Sequence, residues 1–195
     1  MLKCSMIHSY PNEYFELYTL GKDGFTFRQW NNEVIRLSYR IDDEDTRNKF
    51  KGDMLEVFAE IFFGQFQSDE AVGITEYTPI DINDDFGVDA TGKNVNGHQS
   101  AIQVKFRSNP TELISYADIA RTYTSALMQL HMNDVYEHDH TVYLFTNANG
   151  ITGAFTKVMQ NKCVIITKNE IKTKVDNNLT FWDNAYRMIF DTLNN

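Results

Sequence analysis

Hydrophobic and polar positions change period several times along the 195-residue chain, and the changes outline its elements. From Arg28 to Arg40, Trp30, Val34, Leu37 and Ile41 recur at helical spacing. A second helix is predicted over Thr46–Phe63, where Met54, Leu55, Phe58, Ile61 and Phe62 form a broad apolar face and Asp43 or Asp45 is placed to cap it. On the opposite side Asp53, Glu56 and Glu60 form an acidic stripe, a pattern that suits a solvated face. Val72–Thr78 reads as a strand closed by Pro79, and Gly87–Thr91 and Ser100–Arg107 alternate with strand period. A helix follows over about Thr111–His131, striped by Leu113, Tyr116, Ile119, Ala120, Tyr123, Leu127 and Leu130. The continuous apolar runs Thr141–Thr146 and Cys163–Thr167 suit strands buried in a parallel sheet, with a turn over Asn147–Gly153 and a short helix to about Gln160 between them. Leu179–Leu193 reads as a packing helix, and the aromatic runs of residues 1–27, split by Gly21–Gly24, read as a hairpin. Strand, helix, strand, helix in that order is a βαβ signature, so the expected fold class is α/β: a central mixed sheet flanked by helices, with an N-terminal extension.

The stretch from Asp84 to Arg107 gathers the chemistry. Gly92, Asn94, Asn96 and Gly97 make the Lys93–Gly97 segment turn-rich, which pairs the two flanking strands as a hairpin. Alternation then puts Ile102, Val104 and Phe106 on one face and Ala101, Gln103 and Lys105 on the other, with Asp89 pointing away from Val88 and Ala90. A carboxylate, an amide and an ammonium converge beside an apolar core. Polar groups there need compensation, and a divalent cation with a phosphate is one way to supply it.

Length sets one domain as the expectation, 1–195, divided into an extension (1–50), a core (51–174) and a C-terminal packing helix (175–195). A net charge of −9 argues against coating nucleic acid by bulk attraction, though not against a local basic rim. Cys4 and Cys163 lack metal-ligand spacing and read as free thiols in a reducing compartment. No apolar run spans a bilayer, and the opening MLKCSMIHSY carries no long apolar segment. A cytoplasmic chain with no membrane partner is expected.

Asp89 followed by Gln103-Val104-Lys105 resembles the PD-(D/E)XK nuclease superfamily, in which an Asp on one strand is followed after a turn by (E/Q)xK on the next. Within it the chain is similar to the Mrr-like restriction endonucleases. Lys51-Gly52-Asp53-Met54-Leu55-Glu56 looks like their first-helix signature, as it does that of archaeal-type Holliday junction resolvases, and the order of elements through Asn169-Glu170-Ile171 continues the likeness over roughly residues 51–173. Asp85, four residues before Asp89, fits the pattern less well than Val88-Asp89. The resemblance implies a restriction-endonuclease-like core and a Mg²⁺-dependent DNA endonuclease of restriction or homing type, with Mn²⁺ as a substitute ion. Asp89 would be the main metal ligand, with Glu56, the Gln103 amide oxygen and the Val104 carbonyl beside it, and Lys105 would orient the attacking water or stabilise developing charge. Glu60 is the reserve for Glu56. Gln in place of the commoner Glu removes one negative charge from the site. Pro79 lies ten residues before Asp89, so the family's proline is not matched. A homodimer is implied, since one such site cuts one strand.

DNA contacts are expected from Arg107, Ser108 and Asn109 after the catalytic strand, from Arg121 on the next helix, and from Lys168 and Lys172. The two lysines lie in a segment, 157–174, holding five lysines against Glu170. Glu137-His138-Asp139-His140 carries ligand-type residues but sits in a polar loop, and His98 reads as a turn residue. Two other readings stay open: a junction resolvase, and a catalytically silent nucleic-acid-binding or interaction protein on the same fold.

Overall fold

The computed structural model describes residues 1–80, 87–109, 111–129, 140–159 and 163–194. In chain order its elements are a 3-10 turn (Ser5–Ser9), α1 (Pro11–Gly21), α2 (Phe27–Ser38), α3 (Glu44–Gln65), β1 (Ile74–Pro79), β2 (Ala90–Asn94), β3 (Gln99–Lys105), α4 (Tyr116–Gln129), β4 (His140–Thr146), α5 (Gly153–Met159), β5 (Cys163–Ile166), α6 (Lys168–Val175) and α7 (Leu179–Leu193). They fall into two compact units, one of Met1–Ile61 with Lys168–Asn195 and one of Phe62–Thr167.

The first unit is helical. Residues 1–27 form the 3-10 turn and α1 rather than the expected hairpin. Pro11 sits in the first turn of α1, where its missing N–H costs nothing, and Tyr14, Leu17, Tyr18 and Gly21 repeat at helical spacing and are buried. The aromatic runs that read as strands thus satisfy a 3.6-residue period. Thr26 and Gln29 close a capping box at the start of α2. Asp43 accepts from the backbone N–H of Thr46 at 2.7 Å, as expected of a cap. Trp30 packs against Phe58, ring centroids 4.5 Å apart, and Phe58 against Phe181 at 5.8 Å.

The acidic stripe of α3 is not a solvated face. Asp53 and Glu60 are buried and Glu56 is half-buried. Lys49 pairs with Asp53 at 2.7 Å, and the backbone N–H groups of Lys3 and Cys4 donate to the two oxygens of Glu60 at 2.6 and 2.9 Å. The N-terminal segment satisfies the Glu60 carboxylate and Lys49 of the same helix satisfies that of Asp53, and the first of these contacts is one that helical spacing by itself does not reveal.

The second unit carries a five-stranded mixed sheet in the order β1-β2-β3-β4-β5, flanked by helices. The first three strands are antiparallel, and β3, β4 and β5 run parallel across the α4 and α5 connections, as the βαβ order predicts. Side chains of β4 alternate between two apolar layers. Phe145 meets Phe62 and Phe63, from the end of α3, at 5.2 and 5.5 Å, while Val142 and Leu144 pack with Ile114, Ile119 and Ala148. Gln103 pairs with Leu144 and Lys105 with Thr146, so both face the α4 layer.

Two boundaries differ from expectation. β2 begins at Ala90, three residues later than Gly87, and Lys93 and Asn94 belong to the strand rather than to the turn. The reason is Asn94, whose buried side chain accepts from the N–H groups of Asn96 and His98 and tightens the turn, with Gly97 at φ 80° and His98 in the turn as expected. α4 begins at Tyr116, not Thr111. Ile114 is held in a parallel bridge to Ile151, and Ser115 donates through its N–H and hydroxyl to Asp118, each at 2.8 Å, which caps the helix there.

Candidate active site

Asp89 lies one residue ahead of β2 and is already fixed in the sheet. Its N–H donates to Ile102 O and its carbonyl accepts from Ile80 N, both at 2.9 Å. One step beyond the Ala90–Ile102 pair, it stands opposite Gln103. The strand pairing therefore brings the two side chains together, as the sequence predicts.

One oxygen of the Asp89 carboxylate accepts from both the Gln103 side-chain amide and the backbone N–H of Val104. The same Gln103 Nε2 lies 3.2 Å from Val104 O. Gln103 Oε1 accepts from the hydroxyl of Thr122 on α4 at 2.6 Å, and Thr122 is fully buried. Asp89, Gln103 and Lys105 are each half-buried, whereas Val104 is buried. Two steps on from Gln103 and on the same face, Lys105 has its backbone oxygen tied to the Thr146 hydroxyl at 2.6 Å. Among the described residues no carboxylate pairs with its ammonium.

The donor set fits a hard divalent cation in kind: a carboxylate, a carboxamide and a backbone carbonyl, all oxygen donors. An amide NH₂ now stands between Asp89 and Val104 O, a position whose surroundings favour positive charge. Among the described residues no group of three His, Cys, Asp or Glu is gathered for a metal. Glu56 lies on α3 in the first unit, and the hairpin belongs to the second. Asp81, Asp84, Asp85, His131 and the Glu137–Asp139 part of the polar loop lie outside the described residues.

The expected DNA-contact residues differ in setting. Arg107 is largely buried: its guanidinium pairs with Asp118 at 2.6 Å, and Glu112 lies 3.4 Å from Nε without accepting a hydrogen bond from it. The Asn147 side chain, also buried, clamps the Arg107 backbone from both sides, accepting from its N–H at 2.6 Å and donating to its carbonyl at 2.9 Å. Burial pushes the Asp118 carboxyl up, but bonds from Arg107 and Ser115 outweigh it and hold the group below its usual range. Ser108, Asn109 and Arg121 are exposed. Arg121 runs along Gly87, its Cγ 2.8 Å from where a Cβ would stand. Lys168 and Lys172 lie on α6 in the first unit, half-buried.

Thr122, Asn147 and Asp118 were not singled out in the sequence. Thr122 did leave a signal there: it is a hydroxyl between Ile119 and Tyr123 on the apolar stripe of α4. A polar residue on a core-facing stripe has a partner to find.

No family model matches the chain, and no curated protein matches it. Four solved structures do. One is described as "MspJI Restriction Endonuclease in Complex with 27-mer Oligonucleotide" (12% identity, TM-score 0.45, 81% of this chain and 34% of that one). Another is "DNA modification-dependent restriction endonuclease AspBHI" (14% identity, TM-score 0.45, 98% and 43%). A third is a repair endonuclease from Pyrococcus abyssi (12% identity, TM-score 0.36, 62% and 47%). The chain spans less than half the length of each. Among the described residues no helix is long and apolar enough to cross a membrane.

Proposed function

We propose that this chain is a metal-dependent DNA endonuclease of the PD-(D/E)XK type, Mrr-like, hydrolysing phosphodiester bonds with Mg²⁺, or with Mn²⁺ in its place. The observation that carries the reading is the hairpin itself: Asp89 bound to Gln103 and to the Val104 N–H, with Lys105 next on the same face. Asp89, Gln103 and the Val104 carbonyl would hold the ion, and Glu56 is the further carboxylate that the sequence offers. The ion, when bound, supplies charge stabilisation at the phosphate and lowers the pKa of water. Lys105, with no carboxylate partner among the described residues, is suited to orient the nucleophile or to neutralise charge that develops on the phosphate. Thr146 fixes the strand end from which it projects. Arg107, paired with Asp118, acts in this reading as a brace between the catalytic strand and α4, and the exposed residues Ser108, Asn109 and Arg121 are the groups that would meet a phosphate. A homodimer acting on duplex DNA completes the proposal.

A catalytically silent DNA-binding protein is favoured by one detail: the Gln103 amide donates to Asp89 and occupies its oxygen. Plasmid nicking with Mg²⁺ or Mn²⁺ decides between the two. Cutting that vanishes in Asp89→Ala supports the nuclease, and tight DNA binding without cutting under either ion supports the silent protein.

A further inference from the structure

We propose that Thr122 is a positioning residue that lets Gln103 present either end of its amide to Asp89, and so couples the amide's orientation to cation binding. The inference rests on the metal-dependent reading above and adds a residue outside the (E/Q)xK strand to it.

The orientation seen here follows from chemistry. An ionised carboxylate only accepts hydrogen bonds, so the end of Gln103 facing Asp89 has to be the NH₂. The same nitrogen faces Val104 O at 3.2 Å, which leaves Oε1 for the Thr122 hydroxyl at 2.6 Å. This NH₂ has no lone pair to give a metal. For Gln103 to act as a ligand, Oε1 must turn toward Asp89 and Val104 O, and three oxygens facing one another are stable only with a cation among them.

A half-turn about the last torsion of Gln103 makes the exchange, and that torsion is broad and nearly two-fold. The other end of the amide must then be satisfied in both states, because it lies against a fully buried residue. Few side chains do this. A hydroxyl donates to Oε1 in the first orientation and accepts from Nε2 in the second. In the second state the Thr122 hydrogen turns to the carbonyl one turn back in α4, the usual acceptor of a helical threonine. A carboxylate or an amine at position 122 would satisfy one orientation and oppose the other. Once Oε1 is polarised by a cation, Nε2 becomes the stronger donor, so the bond to Thr122 tightens in the loaded state.

The test compares wild type, Thr122→Val, Thr122→Ser and Asp89→Ala without DNA. Mn²⁺ binding is read from the spin-resonance signal of the free ion. The side-chain NH₂ signals of Gln103, assigned by their loss in Gln103→Glu, are followed by NMR during a Mg²⁺ titration. Asp89→Ala should abolish binding, and Thr122→Val should weaken it by roughly tenfold or more, as removal of a supporting partner of a metal ligand does. Thr122→Ser should restore it, and the Gln103 signals should move as Mg²⁺ saturates. Wild-type affinity in a folded Thr122→Val, with binding lost in Asp89→Ala, overturns the role of Thr122 and leaves the metal site standing. Equal binding by wild type and Asp89→Ala, or none by either, overturns both. Should Thr122→Val not fold, the wild-type titration decides: Asp89-dependent binding that leaves the Gln103 signals in place overturns the proposal.

Discussion

The side-chain amide of Gln103 donates directly to the carboxylate of Asp89 across the β2–β3 hairpin. The contact makes a prediction for Gln103→Glu that needs no activity assay. Without metal, two carboxylates meet where a hydrogen bond was, and the variant should lose about 1–3 kcal/mol of stability near neutral pH. With Mg²⁺ the added charge becomes an asset, so the melting temperature should rise more in the variant than in wild type. Melts in chelator and in Mg²⁺ measure both, and an equal rise in the two proteins would contradict a cation site at Asp89.

Arg107 and Asp118 join the end of β3 to the first turn of α4, 2.6 Å apart and largely buried. Burial raises the Asp118 carboxyl, but the bonds from Arg107 and Ser115 win and its net shift is downward. The folded state then gains stability above the ordinary carboxylate range and loses it as pH falls through the lowered value. Asp118→Asn should cost about 1–3 kcal/mol at neutral pH. That deficit should shrink on acidification, in urea titrations repeated from neutral pH downward.

Glu60 should show the opposite slope. Burial raises its carboxyl, against the bonds from Lys3 and Cys4 that lower it. A raised carboxyl contributes stability below its unfolded value and loses it as pH rises through the folded one. Glu60→Ala leaves two backbone N–H groups without acceptors, a loss of about 1–3 kcal/mol. Here the deficit should be largest in acid and shrink as pH rises, in the same urea series.

Much of this was legible in the sequence, and the parts that were not share a cause. The hairpin, the Asp89–Gln103 pairing, the parallel β3-β4-β5 order and the C-terminal helix α7 all follow from local period and turn chemistry, which the sequence carries directly. Residues 1–27 misled because Tyr14, Leu17 and Tyr18 sit in short aromatic runs that suit strands, while their helical spacing becomes decisive only when all of them are buried. The acidic stripe misled for the converse reason. Asp53 and Glu60 are polar in the sequence, and the N–H groups that satisfy Glu60 come from the backbone of Lys3 and Cys4, 56 or more residues away. Thr122 and Asn147 support the site through side chains distant in the chain, and no spacing rule links them to Gln103 or Arg107.

Two glycines separate local from tertiary effects. A Cβ at Gly52, within α3, meets nothing within 4 Å. Gly52→Ala should therefore stabilise the protein by about 0.5–1 kcal/mol, the helix preference for alanine. At Gly92 a Cβ would fall 2.4 Å from Ile74 Cγ2 and 2.9 Å from Thr75 O, so Gly92→Ala forces β1 and β2 apart and should cost about 1–3 kcal/mol. Denaturant midpoints of the two variants, measured side by side, should move in opposite directions.

The central claim is that Asp89, Gln103 and Lys105 form a phosphodiester-cleaving centre that works with a divalent ion. Its most direct test is plasmid nicking in Mg²⁺ and in Mn²⁺ by wild type, Asp89→Ala and Lys105→Ala, each confirmed folded by circular dichroism. Wild type should cut with either ion and not in chelator, and both variants should lose cutting while keeping their fold. Cutting that survives in folded Asp89→Ala would contradict the claim.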